Sequence, residues 1–302
     1  LKKEKRPLFL WDHLEKKWVR PNSIFPGAMV LLPRNEGGYH AEMGWTGQKK
    51  DLPELVPPRE NISLEADGDE PLTETSTEKD LVTHTNEVLE ELEAILKNLD
   101  ENMQLLTPEI HGALKNGARW HDAGKSHPVF QHFLEHSGEE FAQVILAKGK
   151  KSSNTSERKG FRHELASSLA FLQNATTQEE GNIAYSRLAA YIIAAHHGKI
   201  RLSLRSMPHE TYPPKEGTRF ARGIWEGDKL PQADLGGGNV LPETDLDLSL
   251  MEFGTGPRGE SWTQGVLRLL HHEDLGPFRL AYLESLLRIA DWKASRKGGD
   301  PS

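Results

Sequence analysis

Helical periodicity governs the chain from about residue 76 onward, and it constrains the fold more than any other sequence feature. Apolar residues recur there at the spacing of one helix face, at Leu81, Val88, Leu92, Ile95, Leu96 and Leu99. Further helices are predicted at 108–118, 129–134, 163–172, 184–197 and 277–295. Pro108 suits a first helical turn, and Gly124 and Gly198 are predicted helix stops. The pattern predicts a mainly α domain over residues 71–302.

The first 70 residues have a different pattern. Pro and Gly punctuate short strand-like runs, which are Leu8–Trp11, Lys17–Arg20, Ala28–Leu32 and Tyr39–Trp45. Residues 50–78 are polar, acidic and proline-containing, which is typical of a linker. We therefore expect residues 1–70 to form a small β-rich N-terminal accessory module and linker.

Two segments inside the helical part lack a clear pattern. Residues 206–260 are rich in Gly, Pro and Asp and are predicted to be a long irregular insertion, either functional or disordered. Residues 147–160 are predicted to be a mobile loop. The basic residues around this loop favour a solvated surface: Lys148, Lys150, Lys151, Arg158, Lys159 and Arg162.

Composition excludes several classes of protein. There are no cysteines, which rules out disulfides, thiolate metal sites and a thiol nucleophile, and we expect a cytoplasmic protein. No run approaches the roughly 20 apolar residues of a membrane span, so no membrane partner is predicted. The net charge of −8 argues against a surface coated with phosphate-binding charge. The chain begins at Leu1, and we expect it to be part of a longer gene product.

Five histidines and two aspartates lie on or beside the predicted helices. They are His84, His121, Asp122, His163, His196, His197 and Asp291. Each alone has an ordinary explanation, such as a surface side chain or an imidazolium favoured at a helix end. Together they suit a two-metal hydrolytic site, because facing helices of a bundle supply such ligands and a carboxylate can bridge two ions.

The ligand types also predict the metal. Imidazole-rich sites suit Mn²⁺, Fe²⁺, Co²⁺, Ni²⁺ or Zn²⁺ better than Mg²⁺, which prefers oxygen ligands. We therefore expect two divalent transition-metal ions as cofactors.

The order and local sequences of these residues resemble the HD superfamily of metal-dependent phosphohydrolases. The resemblance is closest to the HD nuclease domain of the CRISPR-associated helicase–nuclease of type I systems, and it covers about residues 78–300. It rests on His84 in Leu-Val-Thr-His-Thr, His121-Asp122 with Gly124-Lys125, His163 in Arg-His-Glu, His196-His197-Gly198, and Asp291 in Ala-Asp-Trp-Lys-Ala-Ser.

The resemblance implies an HD-type helical bundle and a ligand assignment. One ion would be held by His84, His121, Asp122 and Asp291, and the second by Asp122, His163, His196 and His197. Asp122 would bridge the ions, and Lys125 would point toward the scissile phosphate or a metal-bound water. The implied activity is hydrolysis of phosphodiester bonds in single-stranded DNA during antiviral defence. The implied partners are a helicase domain, in the same or a partner chain, and the CRISPR RNA-guided, target-bound complex.

Several alternatives stay open at this point. Arg201 could grip a neighbouring phosphate or be a solvated cation. Phe161, Tyr191 and Trp292 could stack on bases, although we expect core packing for each. The alternative enzyme is an HD phosphohydrolase acting on small or cyclic nucleotides. The non-catalytic alternative is a module that keeps a metal site for folding.

Overall fold

The chain divides into two compact units, Leu1–Ser63 and Leu64–Ser302. The computed structural model describes residues 7–12, 17–20, 30–54, 78–103, 106–134, 144–150, 158, 160–174, 183–207 and 210–297. Most of the predicted linker, residues 55–77, lies outside these ranges. The domain boundary placed at residue 70 stays a prediction.

The first unit is a set of short antiparallel strands, which confirms the predicted β-rich start. Strand β1 (Phe9–Asp12) pairs with β2 (Lys17–Val19) and β3 (Val30–Leu31). The run predicted as one strand from Tyr39 to Trp45 is a hairpin of β4 (Tyr39–His40) and β5 (Gly44–Trp45). The chain reverses there because Gly44 adopts a left-handed φ of 73°.

The second unit is a helical bundle, which confirms the mainly α prediction. Its helices are α1 (Leu81–Met103), α2 (Pro108–Trp120), α3 (Pro128–Gln131), α4 (His163–Asn174), α5 (Ile183–Ala195), α6 (Trp262–Leu270) and α7 (Gly276–Arg296). Helix α1 packs against α2 and α7, and α5 packs against α2 and α4. The segment from Leu188 to Ala195 is therefore buried on all sides. Among the helices that the structure describes, none combines the length and the apolar character of a membrane span.

Local sequence accounts for several helix ends. Thr107 caps α2 by accepting a hydrogen bond from the Ile110 amide at 3.4 Å, with Pro108 in the first turn. Gly198, with a φ of 73°, follows α5. Helix α6 was not predicted, although its signal is present: Ser261 caps it by accepting from the Gln264 amide at 3.2 Å.

The insertion predicted to be irregular is ordered over residues 210–260. Its strands pair antiparallel as β8 (Phe220–Ala221) with β9 (Ile224–Trp225), β10 (Lys229–Leu230) with β13 (Thr244–Asp245), β11 (Ala233–Asp234) with β12 (Val240–Leu241), and β14 (Thr255–Gly256) with β15 (Gly259–Glu260). Its buried leucines, which include Leu230, Leu235 and Leu241, belong to the core of the bundle. Residues 210–260 are thus folded, although their strands are only two residues long and are joined by turns.

The predicted mobile loop is also structured at its start. Strand β7 (Leu146–Lys148) pairs antiparallel with β6 (Lys79–Asp80) and is buried. Lys148 and Arg162 are both buried, so the prediction of a solvated basic surface is wrong for these two side chains. Residues 151–157 and 159 lie outside the described ranges.

Candidate metal centre

The ends of several helices bring the seven predicted ligands to one place. His84 lies in the first turn of α1, His121 and Asp122 directly follow α2, and His163 begins α4. His196 and His197 follow α5, and Asp291 lies on α7. We call these seven residues the His–Asp cluster. Six of the seven are buried, and His197 is partly exposed.

The Asp122 carboxylate lies between two groups of imidazoles. Its Oδ1 is 3.2 Å from His163 Nε2, while its Oδ2 is 3.4 Å from both His84 Nε2 and His121 Nε2. Possible ligand atoms lie within 4.8 Å of one another in two sets, Asp122 with His163, His196 and His197, and Asp122 with His84 and His121. Asp122 belongs to both sets.

Asp291 contacts the second set without being part of it. Its Oδ1 lies 3.1 Å from His84 Nε2 and accepts a hydrogen bond from Ser295 Oγ at 3.2 Å. The Lys148 ammonium donates to the same Ser295 Oγ at 2.7 Å and lies 3.7 Å from Asp291 Oδ1. The sequence analysis did not place Lys148 beside the site, because the run of basic residues around it favours a solvated surface.

Two backbone carbonyls fix the orientation of imidazoles in the cluster. His121 Nδ1 lies 2.7 Å from the Ala118 carbonyl oxygen, and His196 Nδ1 lies 2.6 Å from that of Ile193. A carbonyl only accepts, so each Nδ1 carries the proton and each Nε2 presents a lone pair. Both Nε2 atoms are buried without a hydrogen-bond partner. Metal-binding histidines are held in this way, so the residues present fit a metal ion.

Electrostatics favour the protonation states of metal ligands. Burial lowers the pKa of His84 to about 4, and it also lowers the pKa of His163 and His196. Burial alone would raise the pKa of the Asp122 carboxyl, but His121, Lys125 and His163 hold it well below its usual value. At neutral pH these imidazoles are therefore neutral and the carboxyl is ionised, as metal binding requires.

Lys125 lies against the shared carboxylate. Its ammonium is 2.9 Å from Asp122 Oδ2, donates to the Ala147 carbonyl oxygen at 3.1 Å, and is almost fully buried. The Lys125 ammonium thus lies within the His–Asp cluster, where it would be close to any negatively charged group bound there. Its predicted contact with phosphate stays a prediction.

Gly124 serves close packing and not helix termination, since α2 already ends at Trp120. A Cβ at Gly124 would lie 2.2 Å from the carbonyl oxygen of His163, and the Gly124 amide donates to Ser167 Oγ at 2.7 Å. Only glycine permits the turn that contains Asp122 and Gly124, called the Asp122 turn below, to lie this close to α4.

The remaining candidate residues differ in exposure and in their partners. Arg201 is an exposed cation that is also ion-paired: its Nε and Nη2 donate to the Glu284 carboxylate at 3.0 and 2.6 Å, and its Nη1 donates to the Gly198 carbonyl oxygen at 2.7 Å. Phe161 and Tyr191 are buried, which confirms core packing for both. Trp292 is 39% exposed, so core packing was the wrong expectation for this side chain.

Comparison with known families agrees with this geometry. The family profile described as "Cas3, HD domain" matches residues 76–298, a range that contains the whole His–Asp cluster and Lys125. Neither the curated proteins nor the solved structures gave a match. The chain therefore belongs to the Cas3 HD domain family and is a metal-dependent nuclease of the HD type with a place in a CRISPR system.

Proposed function

We propose that this domain hydrolyses phosphodiester bonds of single-stranded DNA in type I CRISPR interference, using two divalent transition-metal ions. The observation that carries the proposal is the position of Asp122, whose two oxygens face separate groups of imidazoles. A carboxylate in that position can serve two ions at once, which is the arrangement of two-metal phosphodiester hydrolysis.

The proposed ligand sets follow the cluster. One ion would be held by His84, His121, Asp122 and Asp291, and the other by Asp122, His163, His196 and His197. When bound, the ions neutralise charge on the phosphodiester and lower the pKa of a coordinated water toward neutrality. The prevalence of imidazoles favours Mn²⁺, Fe²⁺, Co²⁺, Ni²⁺ or Zn²⁺ over Mg²⁺.

Lys125 is proposed to act on the charge that develops during the reaction. Its buried ammonium already neutralises part of the Asp122 charge at 2.9 Å. A fixed cation in a site shielded from water stabilises negative phosphoryl oxygens more strongly than the same cation would in water. Asp122 and Lys125 are therefore the proposed catalytic pair, one as ligand and one as electrostatic stabiliser.

Delivery of the strand is proposed to depend on partners. The net charge of −8 opposes binding of a polyanion, so this chain alone should bind DNA weakly and with strong salt dependence. A helicase domain, in the same or a partner chain, and the RNA-guided target-bound complex would supply the single strand in the cytoplasm. Residues 1–70 are proposed to be an accessory module and linker.

A two-substrate assay tests the proposed function. With Mn²⁺ present, circular single-stranded DNA should be cut, whereas a panel of mono- and cyclic nucleotides should stay intact. Hydrolysis of nucleotides without DNA cutting would support the small-nucleotide phosphohydrolase instead. Bound metal with no turnover of either class would indicate a non-catalytic module.

Metal analysis of the purified protein should find close to two transition-metal ions per chain. The physical reason is that neutral, oriented imidazoles and an ionised shared carboxylate are already assembled. Inductively coupled plasma mass spectrometry measures the content directly. Protein that contains no metal and is fully active with Mg²⁺ alone would contradict the His-rich site.

Replacing Lys125 with alanine should lower kcat on DNA by about 10²-fold or more while the metal content stays unchanged. The estimate follows from the loss of one preorganised electrostatic contact to the transition state. Single-turnover cleavage together with metal analysis separates the two effects. An unchanged kcat would remove Lys125 from the proposed catalytic pair.

A further inference from the structure

The His–Asp cluster is open to solvent on one side. Of its seven members, His197 is the one that is partly exposed. Gly198 follows directly and is also partly exposed. A polymer too large to enter the protein interior would therefore approach the cluster past His197 and Gly198.

Two arginines flank this opening. A Cβ at Gly198 would lie 3.4 Å from Arg201 Nη2 and 3.8 Å from Arg288 Nη1. Arg288 also precedes Asp291 by three residues on α7, which places the two side chains on one face of that helix. Both guanidinium groups thus lie beside the cluster.

The two arginines differ in their partners. Arg201 is held by the Glu284 carboxylate and the Gly198 carbonyl, so three of its five N–H donors are already used. Within the described part of the chain, Arg288 has no ion pair or hydrogen bond, and its Nε is buried without an acceptor. Its contact is with Trp292, whose ring centroid lies 4.7 Å from the guanidinium carbon. A guanidinium without an acceptor beside a phosphodiesterase site is suited to a phosphate ligand.

The geometry points to Arg288 and Trp292 as a strand-binding subsite, an inference that rests on the proposed function. Arg288 donates to the oxygens of a phosphate next to the scissile one, and the exposed indole of Trp292 stacks on the adjacent base. Arg288 thereby has a role that the sequence analysis left open for Arg201.

This subsite also gives a physical reason for preferring single strands. A base can stack on Trp292 only after it has left its neighbours in a duplex, whereas an unpaired base is available at once. Every base has an aromatic face, so the contact should be tolerant of sequence. The phosphate contact is likewise independent of sequence.

The test compares Arg288→Ala and Trp292→Ala with a matched variant, Arg279→Ala. Arg279 lies nine residues earlier on α7, about half a turn away around the helix, and donates to the Asp274 carbonyl oxygen. With Mn²⁺, kcat/KM is measured on a single-stranded oligonucleotide and on bis(p-nitrophenyl) phosphate. Both test variants should lose about tenfold or more on the oligonucleotide and stay near wild type on the small diester. Arg279→Ala should match wild type on both.

Binding supplies a second measurement that a merely structural role would not reproduce. Fluorescence anisotropy of a labelled oligonucleotide, measured without metal at several salt concentrations, gives Kd and its salt dependence. Loss of one phosphate contact in Arg288→Ala should reduce the slope of log Kd against log salt by about 0.7. Trp292→Ala should weaken binding without changing this slope, and Trp292→Phe should restore part of the affinity.

The outcomes separate this inference from the proposed function. If Arg288→Ala cuts and binds the oligonucleotide like wild type, the inference is overturned and the proposed function stands. If Arg288→Ala loses both substrates equally, Arg288 supports the metal centre and the inference is again overturned. If the wild type hydrolyses the small diester but no DNA, the proposed function fails, and the inference fails with it.

Discussion

Replacing Asp122 with alanine is expected to remove both metal ions and to lower DNA cleavage by more than about 10²-fold, since changes to groups that merely orient metal ligands already cost about 10–100-fold. The reason is the shared position of this carboxylate. Its Oδ1 lies 3.2 Å from His163 Nε2, and its Oδ2 lies 3.4 Å from His84 Nε2. Metal analysis and cleavage of circular single-stranded DNA measure the two losses together.

The same substitution leaves a buried cation without its partner, so folding needs its own measurement. Lys125 is almost fully buried and lies 2.9 Å from Asp122 Oδ2. Removing one partner of a buried ion pair costs about 3–5 kcal/mol. Asp122→Asn keeps the shape and one acceptor oxygen, and circular dichroism shows whether each variant is folded. A folded Asp122→Asn protein without metal and without activity would support the assignment.

His271→Ala is the matched control for this experiment. His271 is exposed at the end of α6, with its Nδ1 2.7 Å from the Leu267 carbonyl oxygen, and it belongs to neither set of possible ligand atoms. It should keep wild-type metal content and activity. Normal cleavage by Asp122→Ala would show that the central assignment is wrong.

The location of the site could be predicted from the sequence because its residues lie in short local motifs at helix ends. His121 and Asp122 follow α2, and His196 and His197 follow α5, so predicting the helices also located these proposed ligands. His84 lies in the first turn of α1, a helix that was also predicted, and it belongs to the same His–Asp cluster. Periodicity and residue type within one segment indicated each candidate, whereas the division of the set between two ions came from the family resemblance.

The contacts around the ligands could not be predicted in the same way. Lys148 reaches Ser295 across 147 residues, and Arg201 reaches Glu284 across 83 residues. No local pattern encodes such pairs, because they depend on which helices pack together. The sequence therefore left Arg201 open between a phosphate contact and a solvated cation and favoured a surface charge for Lys148, whereas the tertiary structure pairs Arg201 with Glu284 and buries Lys148.

The insertion shows a second limit. Its strands are two residues long, too short for the alternation that reveals a strand. They nevertheless support the metal centre, because the Arg162 amide donates to the Arg222 carbonyl oxygen at 2.9 Å directly before α4. Gly223 lies so near this segment that a Cβ would be 2.5 Å from the Phe161 Cα. The hairpin of β8 and β9 thus holds the segment that leads into His163.

Gly124→Ala is the second substitution for which we expect a large effect, although it removes no ligand. Its Cβ would lie 2.2 Å from the His163 carbonyl oxygen and 2.8 Å from the Ser167 amide nitrogen. Both are backbone atoms, so no side-chain rotation can relieve the overlap, and α4 must move. Overpacking of this kind costs about 1–3 kcal/mol or more, and it shifts His163 away from Asp122. We expect lower stability and loss of the ion that His163 would hold.

Gly112→Ala is the control, because it should raise stability whereas Gly124→Ala should lower it. Gly112 lies in α2, and a Cβ there would meet nothing within 4 Å, so the added methyl group should stabilise the helix by about 0.5–1 kcal/mol. Urea unfolding of the metal-free proteins measures both changes, and metal analysis counts the ions that each variant retains. If Gly124→Ala is as stable as wild type and keeps two ions, then the close approach of the Asp122 turn to α4 is not what positions His163. The proposed sharing of Asp122 between two ions would then require another explanation for the position of His163.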